Sequence, residues 1–258
     1  MSAKLHIFFI KTSYISKKTC NFASEKDDSL TMQVSPIAYF RSPLTGKFGI
    51  PRQSGIADAL VGEIVLCPEY GGSDAVRGLA DFDYIWLIWE FSENVNARKH
   101  TTVRPPRLGG NRYMGVFATR SPFRPNNIGL SSVRLLSVEH DTAEGTILKV
   151  AGADLMNGTP ILDIKPYVAF TDSHPDARCG FVDTEQWQTL KVKMTQQAET
   201  MLTAADAEVL REILAQDPRP QYHDSKERVY GMDYRNMNIR FTVDGEVLTV
   251  VGVEQKEQ

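Results

Sequence analysis

The sequence YIWLIWEF, residues 84–91, decides the fold of this chain. Its eight residues are almost all apolar, and most are aromatic or β-branched. An apolar run of about four to eight residues is typical of a strand covered on both faces, because a buried helix is usually longer. We therefore expect residues 84–91 to form a buried strand of a β-rich domain.

Further strand-like segments flank this run, separated by turn-rich sequence such as Arg-Pro-Pro and Asn-Gly-Thr-Pro. No long helical pattern lies between them, and no βαβ unit with a GxGxxG fingerprint is present, which argues against a Rossmann cofactor domain. Several short strands at close spacing predict a sandwich or a barrel. The other predicted strands are QVSPIAYFRSP (33–43), GEIVLCP (62–68), MGVFATR (114–120), GLSSVRLLSVEHD (129–141), GTILKVAGADL (145–155) and PILDIKPYVAF (160–170).

The character of the sequence changes near residue 171. The predicted elements beyond this point are a strand in WQTLKVKM (187–194), a helix in TQQAETMLTAADAEVLREILAQ (195–216) and a β-hairpin in IRFTVDGEVLTVVGV (239–253). Asp244-Gly245 is predicted to supply the two-residue turn of the hairpin. The chain is therefore predicted to be mainly β over residues 33–170, with a small α+β domain over residues 171–258.

Residues 1–31 stand apart from both domains. The segment MSAKLHIFFIKTSY has one basic residue before an apolar patch of about six, shorter than the ~7–15 residues of a signal-peptide core. Residues 17–31 are polar, and Met32 directly precedes the first predicted strand. We interpret residues 1–31 as a disordered or non-native extension, with a targeting segment as the alternative.

Charge is unevenly distributed along the chain. The net charge of −3 over 258 residues points to no particular partner. Residues 94–138, however, contain seven arginines and one lysine but no Asp or Glu, whereas residues 171–258 hold 10 basic and 16 acidic residues. We therefore expect an anionic partner to bind the middle of the chain.

The cysteines and histidines predict no metal site. Cys20, Cys67 and Cys179 are far apart and form no CxxC pair, so neither a zinc site nor a disulfide framework is supported. This usage fits a reducing cytoplasm. The five histidines form no HExxH pair, and no stretch approaches the ~20 apolar residues of a membrane span.

The segment GVFATRSPFRPNNIG, residues 115–129, places Arg120 and Arg124 in a stiff loop. Pro122 and Pro125 have a fixed φ and bias the residues before them toward extended backbone. A side chain held this way loses less entropy on binding, and a guanidinium matches phosphate or carboxylate. Solvated surface arginines are the alternative, but TVRPPRLGGNR just upstream adds three arginines without an acid. The pattern favours an anion-binding segment.

A second constellation lies in DLMNGTPILDIKPY, residues 154–167. Its Asn-Gly pair predicts a turn that brings backbone amides close to a ligand. Asp163, Lys165 and Tyr167 alternate along a predicted strand and therefore share one face. They could form a buried polar network, a salt-bridged surface or an acid–base site, and their spacing does not separate these possibilities.

Four segments carry a family resemblance: RSP…KFGIPRQ, AVRGLADFDYIWLIWEF, TVRPPRLGGNRYMGVFATRSPFRPNNIGLS and DLMNGTPILDIKPY. Together they resemble the TsaA/TrmO family, S-adenosylmethionine-dependent methyltransferases that modify N6-threonylcarbamoyladenosine beside the tRNA anticodon. The resemblance covers residues 34–168, and LAQDPRPQY in the tail is similar to the C-terminal domain of bacterial members. It implies a single-sheet β-barrel and a homodimer with the cofactor near the subunit boundary.

The resemblance also implies which residues hold S-adenosylmethionine. These positions are Pro51, Arg52, Gln53, Ser92, Glu93, Arg120, Leu130, Leu155, Met156, Asn157 and Gly158. This chain departs from the family pattern in two of these places. Ser92-Glu93 stands where related members have His-Gln, and Asn157 where they often have Asp.

The catalytic roles are assigned from chemistry. Methyl transfer by direct displacement mainly requires alignment of the reacting atoms. Removal of the proton from N6 leaves negative charge on the carbamoyl carbonyl, which Lys165 is predicted to stabilise. Asp163 or Tyr167 is predicted to accept the proton or to orient the lysine. The arginines predicted to grip tRNA phosphates or the threonyl carboxylate are Arg104, Arg107, Arg112 and Arg124.

Two other functions stay open at this point. A non-catalytic RNA-binding protein on the same barrel would need the arginines but not the NGTP and DIKPY segments, so cofactor binding separates it from an enzyme. A methyltransferase for a different small anionic or nucleotide substrate would act on free nucleotides rather than on isolated tRNA.

Overall fold

The computed structural model describes residues 33–141, 143–185, 188–219 and 226–256. Residues 1–31, predicted to be an extension, lie outside the described residues. All the elements described below belong to the compact unit Pro36–Gln258. No helix within the described ranges is long and apolar enough to cross a membrane.

The strands follow one another with short connections. In chain order they are β1 (Ala38–Arg41), β2 (Val61–Leu66), β3 (Tyr84–Glu90), β4 (Thr102–Val103), β5 (Met114–Gly115), β6 (Ile128–Asp141), β7 (Gly145–Ala151), β8 (Pro160–Pro166), β9 (Lys191–Met194), β10 (Tyr230–Tyr234), β11 (Met237–Asp244) and β12 (Val247–Gln255). The helices are α1 (Ala169–Asp172), α2 (Phe181–Thr184), α3 (Gln196–Thr200) and α4 (Ala204–Ala215).

Six of these strands close into an antiparallel barrel in the order β1-β2-β7-β6-β3-β8. Strand β3 contains most of the apolar run and pairs with both β6 and β8. Its side chains Ile85 and Leu87 are fully buried in the barrel core. Trp86 points outward but stays partly covered, because its indole N–H donates to the Asp172 carboxylate at 2.9 Å. The predicted mainly β class and barrel are confirmed.

A second sheet, in the order β10-β11-β12-β9, forms the predicted α+β appendage. Strand β9 runs parallel to β12, while the other pairs are antiparallel. Helix α4 packs Leu210, Ile213 and Leu214 against this sheet, where Phe241 is completely buried. These helix residues recur at the three- and four-residue spacing of one helix face.

The helix predicted over residues 195–216 is divided in two. Thr203 accepts a hydrogen bond from the backbone N–H of Asp206 at 3.1 Å and so caps a new helix start. The strand predicted at 114–120 is similarly shortened, since β5 is followed by a 3-10 turn at Val116–Ala118.

The predicted hairpin is present, but its turn lies one residue later than expected. Asp244 pairs with Val247, so the turn residues are Gly245 and Glu246. Only Gly245 of these has a positive φ, of 56°. Strand β10 was not predicted, because its sequence YGMDY carries no strong strand pattern.

The loop between β1 and β2 joins the barrel to the second sheet. Phe48 stacks on Phe241 with 6.3 Å between ring centroids, and Leu44 and Leu60 are buried in the core of that sheet. Gly49 has φ 96°, and a Cβ there would come within 2.0 Å of the Met232 sulfur. The segment KFGIPRQSG is therefore held by the C-terminal part of the chain.

Candidate active site

A cavity of about 1530 Å³ lies among the loops that connect these elements. Its surface comes from the segment between β1 and β2, the end of β3, the arginine-rich segment before β6, and the turn after β7. The described lining residues include six basic and three acidic side chains: Lys47, Arg52, Arg104, Arg107, Arg120 and Arg124, and Glu90, Glu93 and Asp154. This excess of cations suits an anionic ligand.

Most of the residues predicted to hold the cofactor meet in this cavity. Those that line it are Pro51, Arg52, Gln53, Ser92, Glu93, Arg120, Leu130 and Met156. Arg120 Nη1 donates to Gln53 Oε1 at 2.5 Å, which joins the arginine loop to the first loop. The first loop is also fastened to the turn after β7, because Gly55 N–H donates to the Gly152 carbonyl at 2.8 Å.

Three of the predicted cofactor positions do not line the cavity. Leu155 is completely buried in the barrel core. Asn157 Oδ1 accepts from the backbone N–H of Ser42 at 3.1 Å, and Gly158 N–H donates to the Phe40 carbonyl at 2.7 Å. The predicted Asn-Gly turn is present, with φ 80° at the glycine. These hydrogen bonds fasten the turn to the end of β1.

Arg52 connects the cavity to the C-terminal part of the chain. Its guanidinium donates to the backbone carbonyl of Asp217 at 3.2 Å. Burial lowers the pKa of Arg52, the Asp217 carboxylate opposes this, and the charge of Arg107 adds to it. Arginine stays charged in proteins despite such shifts, so Arg52 and Arg107 bring two positive charges to one side of the cavity.

The arginines predicted to bind RNA fall into two groups. Arg104 and Arg107 line the cavity, as does Arg124, whose guanidinium donates to the Thr119 carbonyl at 3.2 Å. The guanidinium of Arg104 lies over the ring of Tyr113, 4.4 Å from its centroid.

Arg112 differs from these, because it lies outside the cavity lining. It forms an ion pair with Glu185 at 3.2 Å. An arginine already neutralised by a carboxylate is less available to phosphate than Arg104 or Arg107.

Two of the predicted catalytic residues, Asp163 and Lys165, lie on the outer side of β8, and Tyr167 directly follows this strand. Lys165 Nζ and Asp163 Oδ2 are 2.8 Å apart, and their side chains are 61% and 44% exposed. The ring of Tyr167 lies 5.7 Å from that of Trp86. Asp163 and Lys165 contact each other, but none of the three residues lines the cavity. Their catalytic role stays a prediction.

Asp154 is a site residue that sequence reasoning missed. It lines the cavity, and its Oδ1 accepts a hydrogen bond from the Ser131 hydroxyl at 2.5 Å. Ser131 in turn accepts from the indole N–H of Trp89 at 3.0 Å. Burial raises the pKa of Asp154, against the effects of the Ser131 hydrogen bond and the Arg120 charge. The one available signal was Ser131, a serine at an inward-facing position of β6 between buried neighbours Gly129 and Val133.

Metal ligation finds no support in the described part of the chain. No cluster of three or more His, Cys, Asp or Glu side chains there could hold a metal ion. Cys67 and Cys179 are free thiols.

The fold is a small antiparallel β-barrel. Its arginine-rich cavity makes it a barrel of the ligand-binding class, suited to an anionic ligand. The chain belongs to the tRNA-methyltransferase O family. The N-terminal domain of that family matches residues 39–173, and its C-terminal domain matches residues 187–256.

Relatives and solved structures agree with this assignment. The tRNA (adenine(37)-N6)-methyltransferase of Escherichia coli (strain K12) is 39% identical over 234 residues, covering 88% of this chain and 99% of the relative. The "Probable S-adenosyl-L-methionine-binding protein" of Pyrococcus abyssi is 34% identical, over 57% of this chain and 74% of that protein. The crystal structure of TrmO from Pseudomonas aeruginosa superposes with a TM-score of 0.71 at 34% identity, covering 87% of this chain and 98% of that one.

Proposed function

We propose that this chain transfers a methyl group from S-adenosylmethionine to N6 of an adenosine in tRNA, with N6-threonylcarbamoyladenosine beside the anticodon as the substrate. The observation that carries this proposal is the cavity itself. It combines loops predicted to hold the cofactor with three of the four arginines predicted to hold RNA, Arg104, Arg107 and Arg124. The name of the Escherichia coli relative, a tRNA (adenine(37)-N6)-methyltransferase, supports the reaction.

The side chains of the cavity fit S-adenosylmethionine chemically. The guanidinium of Arg120, held by Gln53, suits the cofactor's carboxylate. Pro51, Leu130 and Met156 offer apolar surface to its adenine. When bound, the cofactor supplies a methyl group on a positively charged sulfur.

The protein's own contribution is alignment and charge. Because Arg120 is already hydrogen-bonded to Gln53, it loses little freedom on binding. Arg104 is likewise fixed over Tyr113. Preorganised groups of this kind bring two reactants into line at small entropic cost, and phosphate contacts fix the position of the RNA.

We further propose that the protein works as a homodimer, and in the cytoplasm, where its tRNA substrate is found. The outer faces of β3 and β6 expose Tyr84, Leu130 and Leu136 by 45%, 53% and 45%. Exposed apolar side chains on neighbouring strands are typical of an interaction surface. Since Leu130 also lines the cavity, a partner subunit there would adjoin the cofactor. Sedimentation equilibrium tests the dimer, and a monomer at micromolar concentration would contradict it.

The test of the reaction is mass spectrometry of nucleosides from tRNA incubated with the protein and isotopically labelled S-adenosylmethionine. The tRNA comes from cells that lack this protein, so its target position is unmethylated. We expect the label on N6-threonylcarbamoyladenosine. Label on unmodified adenosine would overturn the substrate, and label on free nucleotides alone would favour a small-molecule methyltransferase. Absence of cofactor binding in calorimetry would leave the RNA-binding alternative.

A further inference from the structure

We propose that Asp154 is the group that takes the proton from N6 of the substrate, and that Ser131 and Trp89 position it. This inference rests on the proposed methyl transfer and names a residue for one of its steps. Asp154 belongs to the segment that follows β7 and lines the cavity beside Arg120 and Gln53.

The other acidic residues of the described cavity lining are less suited to this role. The carboxylate of Glu93 lies 3.7 Å from Lys47 Nζ, and both side chains are 56% exposed. An exposed ion pair of this kind fixes a carboxylate poorly, because both side chains remain in solvent. Glu90 ends β3 opposite Ile128 and is partly buried, so it enters the test as the nearest competitor.

Asp154 is held by a chain of directed hydrogen bonds. The Trp89 indole N–H donates to Ser131 Oγ at 3.0 Å, and the Ser131 hydroxyl donates to Asp154 Oδ1 at 2.5 Å. Trp89 and Ser131 are 7% and 1% exposed. A serine has a single O–H donor, and the indole leaves that donor to the carboxylate. The chain therefore fixes the position of Asp154 from the barrel interior.

The electrostatic surroundings leave Asp154 a stronger base than an ordinary aspartate. Burial raises its pKa, although the Ser131 hydroxyl, the Ser54 backbone N–H and the positive charge of Arg120 act against this. From β3 and β6 the facing groups are the indole and the serine, neither of which ionises in the working range. In its ionised form, a carboxylate with a raised pKa accepts a proton more readily than an ordinary aspartate does.

The N6–H proton moves to the Asp154 carboxylate, which becomes a neutral acid. The electron pair freed on N6 forms the new bond to the methyl carbon, and the electron pair of the broken carbon–sulfur bond stays on sulfur. Asp154 then releases the proton to water, and no oxidant or metal is required.

The first test compares single-turnover methyl transfer in wild type and Asp154→Asn, with saturating tRNA and cofactor, across pH. We expect a rate loss of roughly 10²- to 10⁴-fold, typical of a general base, and loss of the limb at low pH. Binding of both ligands, measured by calorimetry, should change little. Asp74→Asn is the matched control, because this exposed carboxylate pairs with exposed Arg77 outside the cavity. It should keep the wild-type rate.

A second readout needs no activity. In protein labelled with ¹³C at aspartate Cγ, the resonance that disappears in Asp154→Asn should titrate above the ordinary aspartate range. Ser131→Ala removes a hydrogen bond that favours the carboxylate, so both this titration and the low-pH limb of the rate should move to higher pH. A residue that only stabilised the fold would leave both where they are.

The outcomes separate the two proposals. A wild-type protein that transfers no methyl group overturns the proposed function and this inference with it. An active wild type together with an equally active Asp154→Asn overturns this inference alone, as does a larger loss in Glu90→Gln. If Asp154→Asn does not fold, Ser131→Ala decides: an upward shift of the limb supports the inference and an unmoved limb overturns it.

Discussion

Asp154 and Asp163 belong to the same short motif, yet the barrel gives them opposite surroundings. Asp154 faces the cavity and is held by Ser131 from the barrel interior. Asp163 lies on the outer side of β8 and pairs with Lys165 in solvent. A motif can thus contain residues for both sides of a barrel, and nearness in sequence does not place a residue at the site. Exposed ion pairs such as Asp163–Lys165 typically contribute only about 0.2–1 kcal/mol to stability.

The substitution Lys165→Met tests whether the outer side of β8 takes part in the reaction, and it has the largest expected effect on the transfer rate. If Lys165 stabilises charge during transfer, the single-turnover rate should fall about 30- to 1000-fold, equivalent to about 2–4 kcal/mol, while both ligands still bind. Because Lys165 does not line the cavity of its own subunit, such a loss requires that it reach the site of a partner subunit. A near-wild-type rate would make the Asp163–Lys165 pair a surface ion pair.

Mixed dimers sharpen this prediction. A dimer of one Lys165→Met subunit and one Asp154→Asn subunit contains one site with both native residues if each site draws on two subunits. We expect such a dimer to regain about half of the wild-type rate, since general bases and charge stabilisers must act in one site to cooperate. Inactive mixed dimers would show that the two residues serve the same subunit.

A third carboxylate, Asp206, is buried in the C-terminal part of the chain and is expected to affect stability. It is 9% exposed and accepts hydrogen bonds from Thr203, Tyr234 and Arg235. Although burial acts to raise its pKa, these partners together lower it. Its stabilising contribution is therefore present above the unfolded-state pKa and is lost as pH falls through the folded-state pKa. Asp206→Asn should lower the free energy of unfolding by about 2 kcal/mol at neutral pH, and the difference from wild type should shrink in acid.

Asp154 should show the opposite sign in the same measurement. Its raised folded-state pKa means that its contribution is full below the unfolded-state pKa and is lost as pH rises through the folded-state pKa. Urea unfolding of wild type and Asp154→Asn across pH measures this directly. A difference between the two proteins that grows in favour of wild type as pH rises would contradict the buried environment described here.

The smallest effects are expected among the arginines. Arg104→Ala and Arg107→Ala should each weaken tRNA binding and reduce the slope of log affinity against log salt by about one, because each releases a counterion on contact with phosphate. Arg112→Ala is the matched control, since Arg112 pairs with Glu185 outside the cavity. Filter binding at several salt concentrations measures these slopes. Equal slope changes in all three variants would mean that Arg112 contacts phosphate as Arg104 and Arg107 do.

The strand of residues 84–91 was predictable because a short continuous apolar run is typical of a strand. Its expected burial on both faces was wrong, since Ile85 and Leu87 on the inner face are buried while Tyr84 on the outer face is 45% exposed. The loops that line the cavity were indicated by their prolines, glycines and arginines. The role of Asp154 was not predictable, because its partners Ser131 and Trp89 come from strands distant in the chain. Likewise, nothing in the alternation of Asp163 and Lys165 reveals which side of a closed barrel faces the cavity.

The loop between β1 and β2 couples the cavity to the second sheet. Its residues Leu44, Phe48 and Leu60 are packed in the core of the second sheet, while Arg52 and Gln53 a few positions away line the cavity. The two halves of the chain are therefore not interchangeable modules. A barrel separated from its own C-terminal sheet would leave these apolar side chains without a core, and the segment that shapes the cavity would lose its anchor. Recombination between relatives at the junction near residue 171 should succeed only when this loop and the sheet come from the same parent.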